Sequence, residues 1–262
     1  MDSLEAWAKM VRSVAQPGLP PEALMLMGAR TGGVLAEWHT DAARFVTGFA
    51  DGVGNRRRVD RPLLAWVLGM DAGGVDAGGM DVMGARAARG DLDPEERAWW
   101  SLHEPRVSAD ARAWAGVAFD GDGPLFPGLR ERGIEWWTQA ELCGVHALSH
   151  VAIARDGGPT VHAGALRRLA AACEWLMDEV QPDNATQLPW AVHCFAALSL
   201  VPGRDAGRAA AARQYAQTLI HNAIVDGGVP DRFAACVLWD SAEWLARGAR
   251  VPTDAWDTYG RA

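Results

Sequence analysis

Lysine is almost missing from this chain. Lys9 is the only one among 25 Lys and Arg residues, and two tyrosines stand against 13 tryptophans. With abundant Ala and Gly, the lysine deficit reads as the coding bias of a GC-rich bacterial genome, so the many arginines carry little chemical information of their own. Positive charge is short as well. The formal net charge is −8 over 262 residues, which speaks against nucleic-acid recognition, a task that needs a basic face. Arg56, Arg57, Arg58 and Arg61 form a local basic cluster that reads as a solvated loop.

Cysteine is sparse. Cys143, Cys173, Cys194 and Cys236 are widely spread, form no CxxC pair and sit in apolar stretches of helical pattern. They read as reduced, buried thiols and not as a disulfide framework. Long hydrophobic runs are missing, since nothing approaches the roughly 18 apolar residues of a membrane span. The N-terminal stretch carries Asp2 and Glu5 and has no apolar centre, so it does not read as a signal peptide. The expectation is a cytoplasmic protein with neither membrane nor nucleic acid as partner. P-loop, dinucleotide fingerprint, nucleophile elbow and HExxH are all missing, and no cofactor is expected. The GARTGG at 28–33 follows a helical pattern and reads as a turn.

Strand signals are also scarce, with few β-branched runs and no clean alternation. What is there is helix. Apolar residues make up 49% of the chain, a globular composition. Helical patterns cover 2–15, 20–30, 34–51, 62–70, 93–103 and a stretch from Ser108, then 134–154, 160–180, 187–201, 205–226 and 231–247. Asp93 with Glu96 forms a capping box, and Asp231 is placed to cap the last helix. Between 69 and 90, Asp71, Asp76 and Asp81 recur among glycines, but the spacing matches no calcium loop and reads as a flexible connection. DGDGPLFPGLRERG at 120–133 is the clearest linker. The chain is expected to be one all-α domain, 1–262. The linker offers a soft division between 1–119 and the hairpins of 134–262.

The second half repeats on itself. Val145-His146-Ala147 is echoed by Val192-His193-Cys194, and Pro182-Asp183 by Pro230-Asp231, at a period of about 47 residues. That length fits two helices and two turns. In helical-hairpin count and polar stripes the chain resembles the α/α toroid in outline, with an α-solenoid as the open alternative. A toroid is usually longer than this chain. The architecture hosts glycosidases, lyases, epimerases and prenyl-transferring enzymes, but no motif transfers residues from any of them.

The corner QPDNATQLPWAVHC at 181–194 concentrates polar residues. Its bland reading is a helix–helix corner: Asp183 accepts free N–H groups, Asn184 occupies a turn, and Thr186 caps a helix carrying Trp190 with Pro189 in its first turn. The functional reading makes Asp183 a catalytic carboxylate, with Asn184 and Trp190 contacting a ligand.

Polar stripes on apolar helices are the stronger hint. Glu135, Gln139, Cys143, His146 and His150 share one face of 134–154, while Glu141 lies roughly 140° away from His146. A second stripe joins Gln214, Gln217 and His221, with Asn222 adjacent, and Asp240 and Glu243 lie on the last helix. A buried helix with one polar stripe lines a wet cavity. His146, His150, Asn184, Trp190 and Asn222 are therefore ligand-contacting candidates. The catalytic candidates are Asp183, His193, His221 and Asp240. His146 and His150 at i, i+4, with Cys143 a turn earlier, have metal-ligand spacing. A buried histidine satisfied by an ordinary acceptor is the commoner outcome, so no metal is expected. Two functions fit: a helical-repeat protein binding a small polar ligand or protein partner on a concave face, or a toroid-type acid–base enzyme on a small polar or carbohydrate substrate.

Overall fold

Ser3 opens the first helix by accepting the Ala6 N–H at 3.1 Å, and α1 runs Leu4–Ala15. The computed structural model describes residues 2–19, 98–99, 121–153, 163–182, 188–225 and 227–250. The remaining α-helices among these are α2 (Ile134–Ala152), α3 (Ala163–Glu179), α4 (Val192–Leu198), α5 (Ala206–Ile224) and α6 (Arg232–Gly248). No β-strand occurs among the described residues, so the described part of the fold is all-α. The helical patterns at 20–30, 34–51 and 62–70, the Gly-rich segment, the Arg cluster and the stretch from Ser108 lie outside the described residues. So do Asp183, Asn184 and Thr186.

Caps set the starts of the later helices. Asp205 accepts the Arg208 N–H at 3.0 Å and Asp231 accepts the Ala234 N–H at 2.8 Å. Each satisfies a backbone donor that helix geometry leaves without an intrahelical partner. α1 turns Trp7, Val11 and Ala15 inward at steps of four and packs along α6. Arg12 then reaches Glu243 at 2.6 Å and lies over the Trp239 ring. Behind α1, a Cβ on Gly18 would stand 2.4 Å from the Pro230 carbonyl oxygen, so that close approach requires glycine.

α2 packs against α3, and α4 against α5. Arg204 and Arg208 pair with Glu174, and Arg208 with Asp178, tying α5 to α3. Tyr215 donates its hydroxyl to the Val180 carbonyl at 2.9 Å and stacks on Phe195. α4 is the centre of the core. All seven of its residues are buried, and α1, α2, α3, α5 and α6 all touch it. Side chains such as Val192, Phe195 and Leu198 each contribute about 1.5–3 kcal/mol by leaving water. α2 is buried from Trp137 through His150 without a break. A helix enclosed on all sides belongs to the core and not to a surface.

Two expectations change here. The helix expected over 187–201 begins only at Val192. Leu188 to Ala191 form a turn, and Ala191 takes the left-handed conformation at φ 60°, ψ 10°. Trp190 therefore precedes the helix instead of riding on it. Its ring is fully buried between Trp99, His146 and Phe233, and anchoring it there holds the chain out of helical register.

The 120–133 linker is also not free chain. Leu125 and Phe126 are fully buried, and the Glu141 carboxylate accepts their N–H groups at 2.7 and 2.6 Å. Arg168 donates to the Gly123 and Pro124 carbonyls at 2.8 and 3.0 Å. Gly144 makes room for the Phe126 ring, because a Cβ there would come within 2.3 Å of it. The composition of a linker here serves a strap docked across α2 and α3.

Candidate functional site

α2 presents His146 and His150 one turn apart, and α6 presents Asp240 opposite them. The Asp240 Oδ2 atom lies 2.9 Å from His146 Nε2 and 2.6 Å from His150 Nε2. α4 adds His193, whose ring centroid lies 4.4 Å from that of His146. All four side chains are buried. Trp99 and Trp190 pack against His146 at 5.5 and 5.1 Å, and Trp244 lies 4.7 Å from the His193 ring.

The donors fix the proton positions. The Ala191 N–H donates to His146 Nδ1 at 3.1 Å, so that nitrogen carries a lone pair. His146 is then neutral with its proton on Nε2, pointing at Asp240. The Ser149 hydroxyl donates to the His146 carbonyl at 2.6 Å. Its oxygen therefore accepts from His193 Nε2–H, also at 2.6 Å. The other His193 nitrogen then accepts from the Ser241 hydroxyl at 3.0 Å. Fully buried, with a serine hydroxyl and no carboxylate at either nitrogen, His193 is neutral as well. Burial pushes its pKa well below the ordinary imidazole range, and the neighbouring imidazoles His146 and His150 push it the same way, while Asp240 pulls against them. Trp244 Nε1–H donates to the Ser149 carbonyl at 2.9 Å and closes the chain between α2 and α6.

Electroneutrality narrows what remains. A buried carboxylate requires a positive partner or a proton. Neither His146 nor His193 can supply the charge in these tautomers. Within this group that leaves His150 as the imidazole able to carry a charge beside Asp240.

Of the sequence-derived candidates, His146, His150, His193 and Asp240 come together, and Trp190 borders them. Cys143 is buried on α2 but stands outside the His146, His150 and Asp240 group, whose ligand atoms all lie within 4.8 Å of one another. The second stripe does not join. Gln214, Gln217 and His221 are exposed, because α5 turns this face to solvent; Asn222 is buried beside them. Glu243 goes to Arg12. Asp183 and Asn184 lie outside the described residues. A shallow cleft of about 160 Å³ between α3 and α5 is lined by Met177, Gln181, Pro182, Gln214, Tyr215 and Thr218 among others. None of its lining residues belongs to the histidine network.

Sequence reading missed Ser149, Ser241, Trp99 and Trp244, and the backbone N–H of Ala191. The two serines had a signal: each is the chain neighbour of a candidate, His150 or Asp240. Trp244 lies four residues after Asp240, on the same helix face. No family model, no curated protein and no solved structure matches this chain.

Proposed function

We propose that this chain is a helical-repeat protein whose buried centre of His146, His150, His193 and Asp240 receives a small polar ligand. One observation carries the reading: three imidazoles and a carboxylate from three helices converge where the core would otherwise be apolar. Well-packed apolar residues of similar volume often serve a fold as well as a buried ion pair or better. Polar groups kept at such a position point to a use beyond folding. The depth of the site favours a small ligand over a protein surface. α2–α3 and α4–α5 act in this reading as two copies of one hairpin unit, which brings His146 and His193 side by side. Four buried thiols suit a cytoplasmic setting.

Acid–base catalysis is the second reading, and the Ser241–His193 contact favours it, since a hydroxyl facing an imidazole nitrogen is the arrangement of an activated nucleophile. Ser241 is fully buried, however. The far nitrogen of His193 also meets a serine and not the carboxylate that would stabilise an imidazolium.

A ligand must reach the centre, so the helices around it must open without unfolding the protein. Diethyl pyrocarbonate labelling read by mass spectrometry tests this. Exposed His221 is expected to react first, and His150 next, faster than the global unfolding rate. Labelling of His150 only at the rate of global unfolding would make the centre sealed core and end the binding reading.

A further inference from the structure

We propose that the ligand of this centre is a divalent transition-metal ion held by His146 Nε2, His150 Nε2 and an oxygen of Asp240, and that its entry flips the Trp190–Ala191 peptide. The proposal rests on the binding reading above and names its ligand.

The donor set comes first. Two imidazoles one helical turn apart and a carboxylate from a facing helix converge on one point, with their ligand atoms within 4.8 Å of one another. Bonds of about 2.0–2.2 Å in a tetrahedral site set neighbouring ligand atoms roughly 3.3–3.6 Å apart, so Asp240 Oδ2, now 2.9 and 2.6 Å from the two nitrogens, would draw back slightly to admit the ion. Imidazole nitrogen with one carboxylate suits zinc, iron, cobalt and nickel, and not calcium or magnesium, which take oxygen.

One contact opposes direct entry. A metal on His146 Nε2 takes the lone pair there, so the ring proton must move to Nδ1 and find an acceptor. Nδ1 now faces a donor, the Ala191 N–H at 3.1 Å. The metal-free arrangement is therefore locked in the wrong tautomer.

The backbone at that donor is strained. Ala191 is the only non-glycine residue with positive φ among the described residues. A left-handed alanine is disfavoured by its Cβ. Turning the preceding peptide over exchanges its N–H for the Trp190 carbonyl, since the two point in opposite directions across a trans peptide. The same rotation carries the Ala191 φ from 60° to about −120°, which with ψ near 10° moves the residue out of the left-handed region into the bridge region. One movement thus replaces the donor facing Nδ1 by an acceptor and relieves the strain. No electron moves. The proton leaving His146 Nε2 is regained at Nδ1, and the metal takes the vacated lone pair. Ser149 and His193 are positioning residues here, because their bonds hold the α2 backbone at His146 against α4 and α6.

The test is titration of the chelator-stripped full-length chain with cobalt(II), followed by its visible d–d absorption and competed by zinc(II). One cobalt per chain is expected. Asp240→Asn and His150→Ala are each expected to weaken binding by more than about 100-fold. Ala191→Gly removes the penalty of the unflipped state and is expected to weaken binding about fivefold, the equivalent of ~1 kcal/mol. Binding that survives both Asp240→Asn and His150→Ala belongs to other residues and overturns the proposal. Binding that Ala191→Gly leaves unchanged overturns the flip. If the wild type takes no metal while His150 is reached by diethyl pyrocarbonate, the metal is wrong and a different small ligand remains. If neither happens, both readings fall.

Discussion

Two carboxylates are buried among these helices, and they are held in opposite ways. Glu141 on α2 spends both oxygens on backbone, one on the Leu125 N–H and one on the Phe126 N–H, with Trp137 Nε1–H adding a third donor at 3.1 Å. Asp240 on α6 offers a single oxygen, Oδ2, to two imidazoles. Backbone amides do not change protonation state or take a metal in this way, so the contacts of Glu141 serve to hold the strap. Imidazoles can change tautomer, gain a proton or take a metal, so the surroundings of Asp240 can change state while those of Glu141 cannot.

The largest effect expected from breaking this contrast is at Glu141. Glu141→Ala strands two buried N–H groups and releases the strap, and it is expected to destabilise the fold by about 3–5 kcal/mol in chemical denaturation. The pH dependence comes next. Burial raises the Glu141 pKa to about 7 from 4.5 in spite of its donors and Arg168. A carboxyl raised in the folded state binds protons that the unfolded chain has lost, so its contribution is complete below pH 4.5 and is lost as pH rises through 7. The loss is at most about 3 kcal/mol. Comparing wild type with Glu141→Gln across this range isolates it, because His193 is common to both. His193 acts with the other sign. Its lowered pKa gives stability that is present above 6.5 and lost as pH falls below it.

Smaller effects sharpen the other side. Removing the Asp231 cap by Asp231→Ala is expected to cost ~1 kcal/mol in thermal unfolding. Ala191→Gly is expected to stabilise the metal-free protein by up to about 1 kcal/mol, because glycine occupies the left-handed region freely. His221→Ala is expected to change stability by less than about 0.5 kcal/mol, since it sits on the solvent face of α5.

The sequence made the helices of the second half legible because their signals are local. Asp231 caps its helix as its position suggested, and the α2 pattern ends within two residues of its expected boundary. The i, i+4 spacing of His146 and His150 was equally plain. The second stripe misled because helical spacing tells which residues share a face but not where that face points. Gln214, Gln217 and His221 do share one, and it is wet. Asp240 against His146 is a contact 94 positions apart in the chain, which no local pattern encodes. The turn at Leu188 to Ala191 was illegible for a related reason: Ala191 is left-handed because of what surrounds Trp190 and His146, and alanine itself signals helix. Glycine and proline wrote a linker at 120–133, and only the distant Glu141 and Arg168 make it a docked strap.

The contrast between the two carboxylates is tested most directly by urea denaturation, without metal, of Glu141→Gln at pH 5, where the Glu141 contribution is still largely in place, and of Asp240→Asn at pH 8, each beside the wild type. Asparagine keeps one acceptor oxygen, and both imidazoles at Asp240 share one oxygen, so Asp240→Asn is expected to shift stability by less than about 1 kcal/mol. Glutamine turns its NH₂ toward one of the two backbone N–H groups at Glu141, and a loss of about 2–3 kcal/mol is expected. If Asp240→Asn loses as much as Glu141→Gln or more, Asp240 is as structural as Glu141, and the histidine centre is part of the core and not a site.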